Sequence, residues 1–133
     1  MKRSLACVLF GLAMAAQAAP SLFDQGRMYR HGDGVARDSV RAFGLIERAA
    51  GGGDAAAMFT LSNMLEAGEG APRNRAAARK WLEAAAINDN PEALQQLALH
   101  LQDGTMDYDV DRARSALLMR QAAHAIKHRA HGH

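Results

Sequence analysis

The feature that most constrains this chain is a repeat with a period of 36 residues. The segment 26–34 (GRMYRHGDG) returns as 62–70 (SNMLEAGEG), and the segment 47–50 (ERAA) returns as 83–86 (EAAA). A period of this size is typical of stacked supersecondary units. Stacked units usually bind other proteins and rarely catalyse reactions. We expect three units, the third with one extra residue in its loop; they cover residues 19–54, 55–90 and 91–125.

Each unit is predicted to form a helix, a loop and a second helix. Four polar residues stand where helices should begin, because their side chains can accept hydrogen bonds from the free N–H groups of a first turn. They are Asp38, Asp54, Asn74 and Asn90. Pro91 follows at a first helical position, where its missing N–H costs nothing. Gly68 should end a first helix. The sequence therefore predicts an all-α fold, an α-solenoid of three helix–turn–helix repeats.

The first 18 residues have the pattern of a secretory signal peptide. Lys2 and Arg3 precede an uncharged, mostly apolar run over residues 5–16, and Ala16-Gln17-Ala18 fits the small-x-small cleavage rule. Cleavage after Ala18 would place the protein in the periplasm or outside the cell. The alternative is an anchor helix that is kept, but the run is short for a membrane span. We expect no membrane insertion after cleavage.

Removal of the leader changes the charge and thiol content. Without Lys2 and Arg3 the 16 basic residues fall to the number of acidic ones, 14, so the mature chain is near neutral. A near-neutral domain gives no whole-domain argument for nucleic-acid binding. Cys7 is the only cysteine in the sequence and lies in the leader. The mature protein is therefore predicted to contain no disulfide.

The repeated residues resemble the Sel-1-like repeat family, which is related to tetratricopeptide repeats. Repeat one carries much of the family pattern at Gly26, Tyr29, Gly32, Gly34, Val35, Asp38, Ala42, Ala49, Ala50, Gly53, Asp54 and Ala55. Repeat two carries it at Ala57, Leu61, Gly68, Gly70, Ala78, Trp81, Ala85 and Ala86. The resemblance implies an α-solenoid that serves as an adaptor or scaffold in protein complexes and has no catalytic role. Bacterial relatives of this family are often exported.

Several positions depart from the family pattern. Ser62 stands in place of glycine, and Gln25 stands in place of leucine. Repeat three has Met106 where the second loop glycine is expected, and it has no tryptophan. Terminal repeats are often atypical in this way, because one side of them lacks a neighbouring repeat.

A partner protein or peptide would bind the concave face, which the first helices line in this architecture. If the register follows tetratricopeptide repeats, eight residues point outward there. They are Arg27, Arg30, His31, Asn63, Glu66, Gln95, Leu99 and Gln102. Their charge runs from basic to polar to weakly acidic, which suits a peptide with a carboxylate near repeat one. The alternative is that these residues form an ordinary solvated helix surface.

The last helix, expected over about residues 111–128, offers a second surface. It has five cations and no acid after Asp111, and it carries a wide apolar set that includes Leu117, Leu118 and Ile126. An open apolar side would invite a partner or a second copy of the chain. The alternative is a fraying helix end followed by a histidine-containing tail over residues 129–133.

The sequence offers weak candidates for a metal site and none for catalysis. His124 and His128 lie one helical turn apart and could bind zinc, copper or nickel, which makes metal binding the alternative function. The segment 107–111 (DYDVD) imitates the start of a calcium loop, but Arg112 and Leu118 stand where glycine and glutamate are required. Nucleophile, zinc-protease and phosphate-loop motifs are absent, so a small hydrolase is less favoured and no cofactor is expected.

Overall fold

The computed structural model describes residues 18–132, and within that range it contains six α-helices and no strand. The helices are α1 (Leu22–His31), α2 (Ser39–Gly51), α3 (Ala55–Ala67), α4 (Arg75–Ile87), α5 (Pro91–Asp103) and α6 (Arg112–His131). The predicted all-α fold of three helix pairs is confirmed. The predicted signal peptide lies outside the described residues except for Ala18.

The helix starts follow the predicted capping residues. The side chains of Asp38, Asp54, Asn74 and Asn90 each accept a hydrogen bond from the backbone N–H three residues later, at 2.8–3.0 Å. Such caps satisfy N–H groups that have no partner inside the helix. Gly68 follows α3 in the left-handed conformation, with φ of 71°. The local signals in the sequence therefore set the starts of α2 to α5 and the end of α3.

Each loop is tied back to the helix that precedes it by one recurring hydrogen bond. The backbone N–H of Asp38 donates to the Tyr29 carbonyl, and that of Asn74 donates to the Leu65 carbonyl, both at 2.9 Å. In repeat three the N–H of Asp111 donates to the Leu101 carbonyl at 2.8 Å. The loop of repeat three thus ends with the equivalent hydrogen bond, although it is one residue longer.

The two helices of each repeat approach one another at a small, buried residue of the first helix. This residue is Gly26 in α1 and Ser62 in α3, and Ala98, at the equivalent position of α5, is also buried. A Cβ atom on Gly26 would lie 2.5 Å from Cγ1 of Ile46. Ser62 keeps its hydroxyl satisfied by donating to the Ala78 carbonyl at 2.7 Å. The departure at Ser62 is therefore accommodated by a hydrogen bond across the helix pair.

One apolar core runs through all three repeats. Each second helix packs on its own first helix, and α2 and α4 also pack on the first helix of the next repeat. The largest fully buried apolar side chains are Ile46, Leu61, Met64, Leu82, Leu94 and Leu97. Trp81 is half-buried and packs against this core.

The loop of repeat three replaces its missing glycine with two residues in the left-handed conformation. Met106 has φ of 55° and Asp107 has φ of 61°. This conformation is unfavourable for residues other than glycine. The Met106 side chain is buried, at 7% exposure, and that burial offsets the backbone cost.

The last helix extends further than predicted. It ends at His131, three residues beyond the expected end near His128. Asp111 caps its start by accepting from the Arg114 N–H. Arg129 donates to Glu92 of α5 at 2.9 Å, which holds the final turns against the preceding helix. Among residues 18–132, no helix combines the length and the apolar character that a membrane span requires.

Substitution of Gly70 tests the contact between repeats one and two. Gly70 has φ of 76°, and a Cβ there would lie 2.1 Å from the Ser39 carbonyl oxygen. We expect Gly70→Ala to lower the free energy of unfolding by about 2–5 kcal/mol, through left-handed strain together with overpacking. Chemical denaturation followed by circular dichroism measures the change.

The matched control is Gly34→Ala, at the equivalent position of repeat one. Gly34 has φ of 73°, but a Cβ there meets nothing within 4 Å. This variant should lose only about 1–2 kcal/mol from backbone strain. Equal losses in the two variants would show that the Gly70–Ser39 contact does not stabilise the fold.

Candidate binding face

The eight predicted partner-binding residues lie on the first helix of each repeat and form what we call the first-helix face. Five of them are exposed: Arg27, His31, Gln95, Leu99 and Gln102. The other three, Arg30, Asn63 and Glu66, are half-buried. Their side chains are hydrogen-bonded within the protein, so the exposed and half-buried groups differ in how freely they can meet a partner.

Arg30 joins repeat one to repeat two. Its guanidinium donates to both carboxylate oxygens of Glu69, from Nε at 3.0 Å and from Nη2 at 2.9 Å. The two side chains are 26% and 20% exposed. The hydrogen bonds from Arg30 lower the pKa of Glu69. A bidentate pair with this degree of burial is more favourable than an ordinary surface ion pair.

Glu66 is likewise neutralised by arginines. Arg73 donates to its carboxylate at 2.7 Å and Arg75 at 3.0 Å. The hydrogen bonds from Arg75, and then those from Arg73, lower the pKa of Glu66. Arg75 also lies 3.4 Å from Asp107 in the loop of repeat three. Glu66 therefore belongs to an ion-pair network that spans repeats two and three.

The other residues of the first-helix face determine which side chains are available to contact a partner. Arg27 lies 4.0 Å from Asp24, and its guanidinium is 5.8 Å from the centre of the Phe23 ring. Exposed pairs at such distances are weak, so the Arg27 charge remains available. Asn63 accepts from Gln96 at 3.3 Å, which joins α3 to α5. The first-helix face is thus basic at repeat one and offers uncharged groups, including the 48%-exposed Leu99, at repeat three.

A histidine–tyrosine–arginine cluster lies between repeats two and three and was not predicted from the sequence. The rings of His100 and Tyr108 stack with centres 6.1 Å apart, and the Arg79 guanidinium lies 4.1 Å from the centre of the Tyr108 ring. Nδ1 of His100 is 2.8 Å from the Thr105 hydroxyl. The available signal was a break in the repeat, since His100 stands where repeats one and two have Met28 and Met64.

Burial sets the protonation of this cluster. Nε2 of His100 and the hydroxyl of Tyr108 are buried and have no hydrogen-bond partner among residues 18–132. Burial lowers the pKa of His100 and raises the pKa of Tyr108. Glu66 and Asp103 act in the opposite sense on His100, but they do not cancel the effect of burial. His100 is therefore neutral in the folded protein at neutral pH.

The two candidate metal ligands lie on the exposed side of α6. The Nε2 atoms of His124 and His128 are 3.0 Å apart, and their ring centres are 4.3 Å apart. Within the described part of the chain, no group of three or more histidine, cysteine or acidic residues is placed to hold a metal ion. Two of the three aspartates of the calcium-like segment have other roles, since Asp107 faces Arg75 and Asp111 caps α6.

Comparison with known proteins identifies the repeat. The Sel1 repeat model matches residues 19–54, 55–90 and 91–125. The chain belongs to the Sel1 repeat family. Proteins of this family are helical repeat proteins that typically mediate protein–protein interactions, and their fold is generally a non-catalytic scaffold.

Two solved structures are similar to this Sel1 repeat protein. One is a Sel1 repeat protein from Oxalobacter formigenes, with a TM-score of 0.73 and 26% identity, covering 76% of this chain and 40% of the other. The second is a protective antigen of uropathogenic Escherichia coli strains that displays an SLR fold. Its TM-score is 0.69 at 29% identity, covering 77% of this chain and 22% of the antigen. The chain thus spans less than half the length of either protein. No curated protein sequence matches it.

His100 should make the stability of the protein depend on pH. Its pKa is lower in the folded state than the ordinary value of 6.5, so the unfolded chain binds a proton first as the pH falls. The stabilisation is complete above about pH 6.5 and is lost as the pH falls through the folded-state pKa. We expect His100→Met to reduce the fall in unfolding free energy between about pH 7.5 and pH 5.5, measured by urea denaturation.

Methionine is the appropriate replacement because Met64 fills the equivalent buried position in repeat two. The control is Leu99→Met, which alters an exposed residue of the same helix, removes no titratable group and should therefore leave the pH dependence unchanged. The same pH dependence in His100→Met and the native protein would contradict the assignment.

Proposed function

We propose that this protein is exported to the cell envelope, where it serves as an adaptor or scaffold and binds a partner protein or peptide on its first-helix face. The observation that carries the proposal is the set of three Sel1 repeats in register, whose first helices leave Arg27, His31 and Leu99 exposed. The export part rests on the leader-like residues 1–18.

The ion pairs decide which residues of the first-helix face should contact the partner. Arg30 and Glu66 are engaged with Glu69, Arg73 and Arg75, so using them for binding would break existing contacts. Arg27 has no strong partner to lose. We therefore infer that the partner places a carboxylate near Arg27 and an apolar side chain near Leu99.

Charge reversal at one end of the face and loss of the apolar contact at the other should abolish binding. The test variant is Arg27→Glu with Leu99→Asp, used as bait for quantitative crosslinking capture in the native cell. A loss of about 2–3 kcal/mol is expected, which corresponds to more than tenfold weaker binding and removes the partner from the captured set. Arg30→Glu is unsuitable because it would place two carboxylates together at Glu69 and disturb the fold.

The matched control is Arg48→Glu with Ile87→Asp on the second helices. Arg48 is exposed and forms no ion pair among residues 18–132, and Ile87 is 80% exposed. This variant should keep the partner that the test variant loses. Retention by both variants would exclude the first-helix face.

The mass of the captured bait also tests export. A captured chain that begins at Ala19 supports export, whereas an intact leader on a cytoplasmic chain contradicts it.

We infer that α6 also supports self-association. Alignment at a spacing of 37 residues places Met119 opposite Leu82 and Ala123 opposite Ala86. Leu82 and Ala86 are buried, whereas Met119 is 37% exposed and Ala123 is exposed. Ile126 lies on the same side of α6 by helical spacing and is also exposed. An apolar side that is buried in repeat two is thus left open in repeat three.

Self-association through this side should respond to salt. Arg112, Arg120 and Lys127 lie on the same helix without ion pairs in the described structure, so a second copy would bring like charges together. Added salt should therefore strengthen the association. Sedimentation equilibrium should show a weak dimer that Met119→Lys abolishes, while Leu117→Lys, on the opposite side of α6, leaves it intact. A native protein that stays monomeric at all salt concentrations would contradict the inference.

A further inference from the structure

His124 and His128 form a preorganised pair of nitrogen donors outside the first-helix face. The two residues lie one turn apart on α6, and both are exposed. Their Nε2 atoms are separated by 3.0 Å, and their rings are inclined by 54°. We propose that this pair chelates one divalent copper ion, with nickel as the weaker alternative of the same class.

The separation of the two nitrogens selects the class of metal. With a metal–nitrogen bond of about 2.1 Å, two ligands at a right angle are ~3.0 Å apart, whereas two ligands of a tetrahedral ion are ~3.4 Å apart. The observed 3.0 Å is the length of a hydrogen bond between the two rings, and it also fits neighbouring positions of a square-planar or octahedral ion once both Nε2 atoms are unprotonated. Copper(II) and nickel(II) adopt these geometries with nitrogen ligands, and copper binds such donors more tightly.

The surroundings leave space for further ligands. The histidines line an open surface hollow of about 660 Å³ together with Asp89, Arg120, Gln121 and Ala125. No third histidine, cysteine or acidic ligand is in place within residues 18–132, so water or a donor from a partner would complete the coordination. The Arg120 charge opposes cation binding. The site is thus an exchangeable two-ligand site that differs from a closed structural metal centre.

A bound ion would bridge successive turns near the end of α6. This part of the helix is also held by Ala125, which packs against the core, and by the Arg129–Glu92 ion pair, whose side chains are both about half-exposed. An exposed pair of this kind contributes little on its own. The metal would therefore order the turns around His124 and His128 without altering the repeat core.

The test uses copper(II) alone with the protein purified without a histidine tag. Calorimetric titration should give one ion per chain, and electron paramagnetic resonance should show hyperfine coupling to two imidazole nitrogens. In His124→Ala or His128→Ala the coupling should fall to one nitrogen, and the dissociation constant should rise by roughly tenfold or more. Both positions are exposed, so helix content should remain native in each variant.

The matched control is His131→Ala, which removes an exposed histidine from the same helix and should leave stoichiometry, affinity and coupling unchanged. Equal losses in His131→Ala and His128→Ala would overturn the assignment to this pair. Tighter binding of zinc than of copper would overturn the choice of geometry. Native affinity no greater than that of His124→Ala would show that chelation does not occur.

Discussion

The close approach of the two helices in each repeat is the constraint on which the rest of the structure depends. Gly26, Ser62 and Ala98 hold the same position in successive repeats, and all are buried. A larger side chain there would push the second helix away from the first. That second helix must also contact the first helix of the next repeat, so any displacement would open the following interface. Small residues at one position thus govern both packing within repeats and stacking between them.

Ion pairs between loops and helices hold the register of this stack. The Arg30–Glu69 pair spans residues that are 39 apart, and the Arg75–Asp107 pair spans residues that are 32 apart. Both join one repeat to the next at the carboxyl end of the first helices. They also neutralise charges that would otherwise be available to a partner. The first-helix face therefore presents few unpaired charged groups to a partner, and ion pairs between the repeats hold the helices that carry them.

Helix caps, which depend on residues close in sequence, were predicted correctly. Contacts that depend on the geometry of the loops were not predicted. Caps such as Asp54 act on an N–H three residues away, so the pattern of residues is sufficient to find them. The pairing of Arg30 with Glu69 could not be read from spacing, because it requires the loop after α3 to reach back to α1. The extension of α6 to His131 was not predicted for a related reason. Arg129 near its end donates to Glu92 on α5, which is far away in sequence.

Departures from the repeat concentrate in repeat three, and this distribution bears on function. His100 replaces a methionine, Met106 replaces a glycine, and α6 is 20 residues long whereas α2 and α4 have 13 each. Stacking with neighbours needs none of these changes, because repeats one and two stack without them. Two of these changes carry a local cost: Nε2 of His100 is buried without a hydrogen-bond partner in the described residues, and Met106 has a left-handed backbone whose cost its burial offsets. Backbone outliers and unpartnered buried groups often mark functional sites, so repeat three is the part of the described chain in which to test for one.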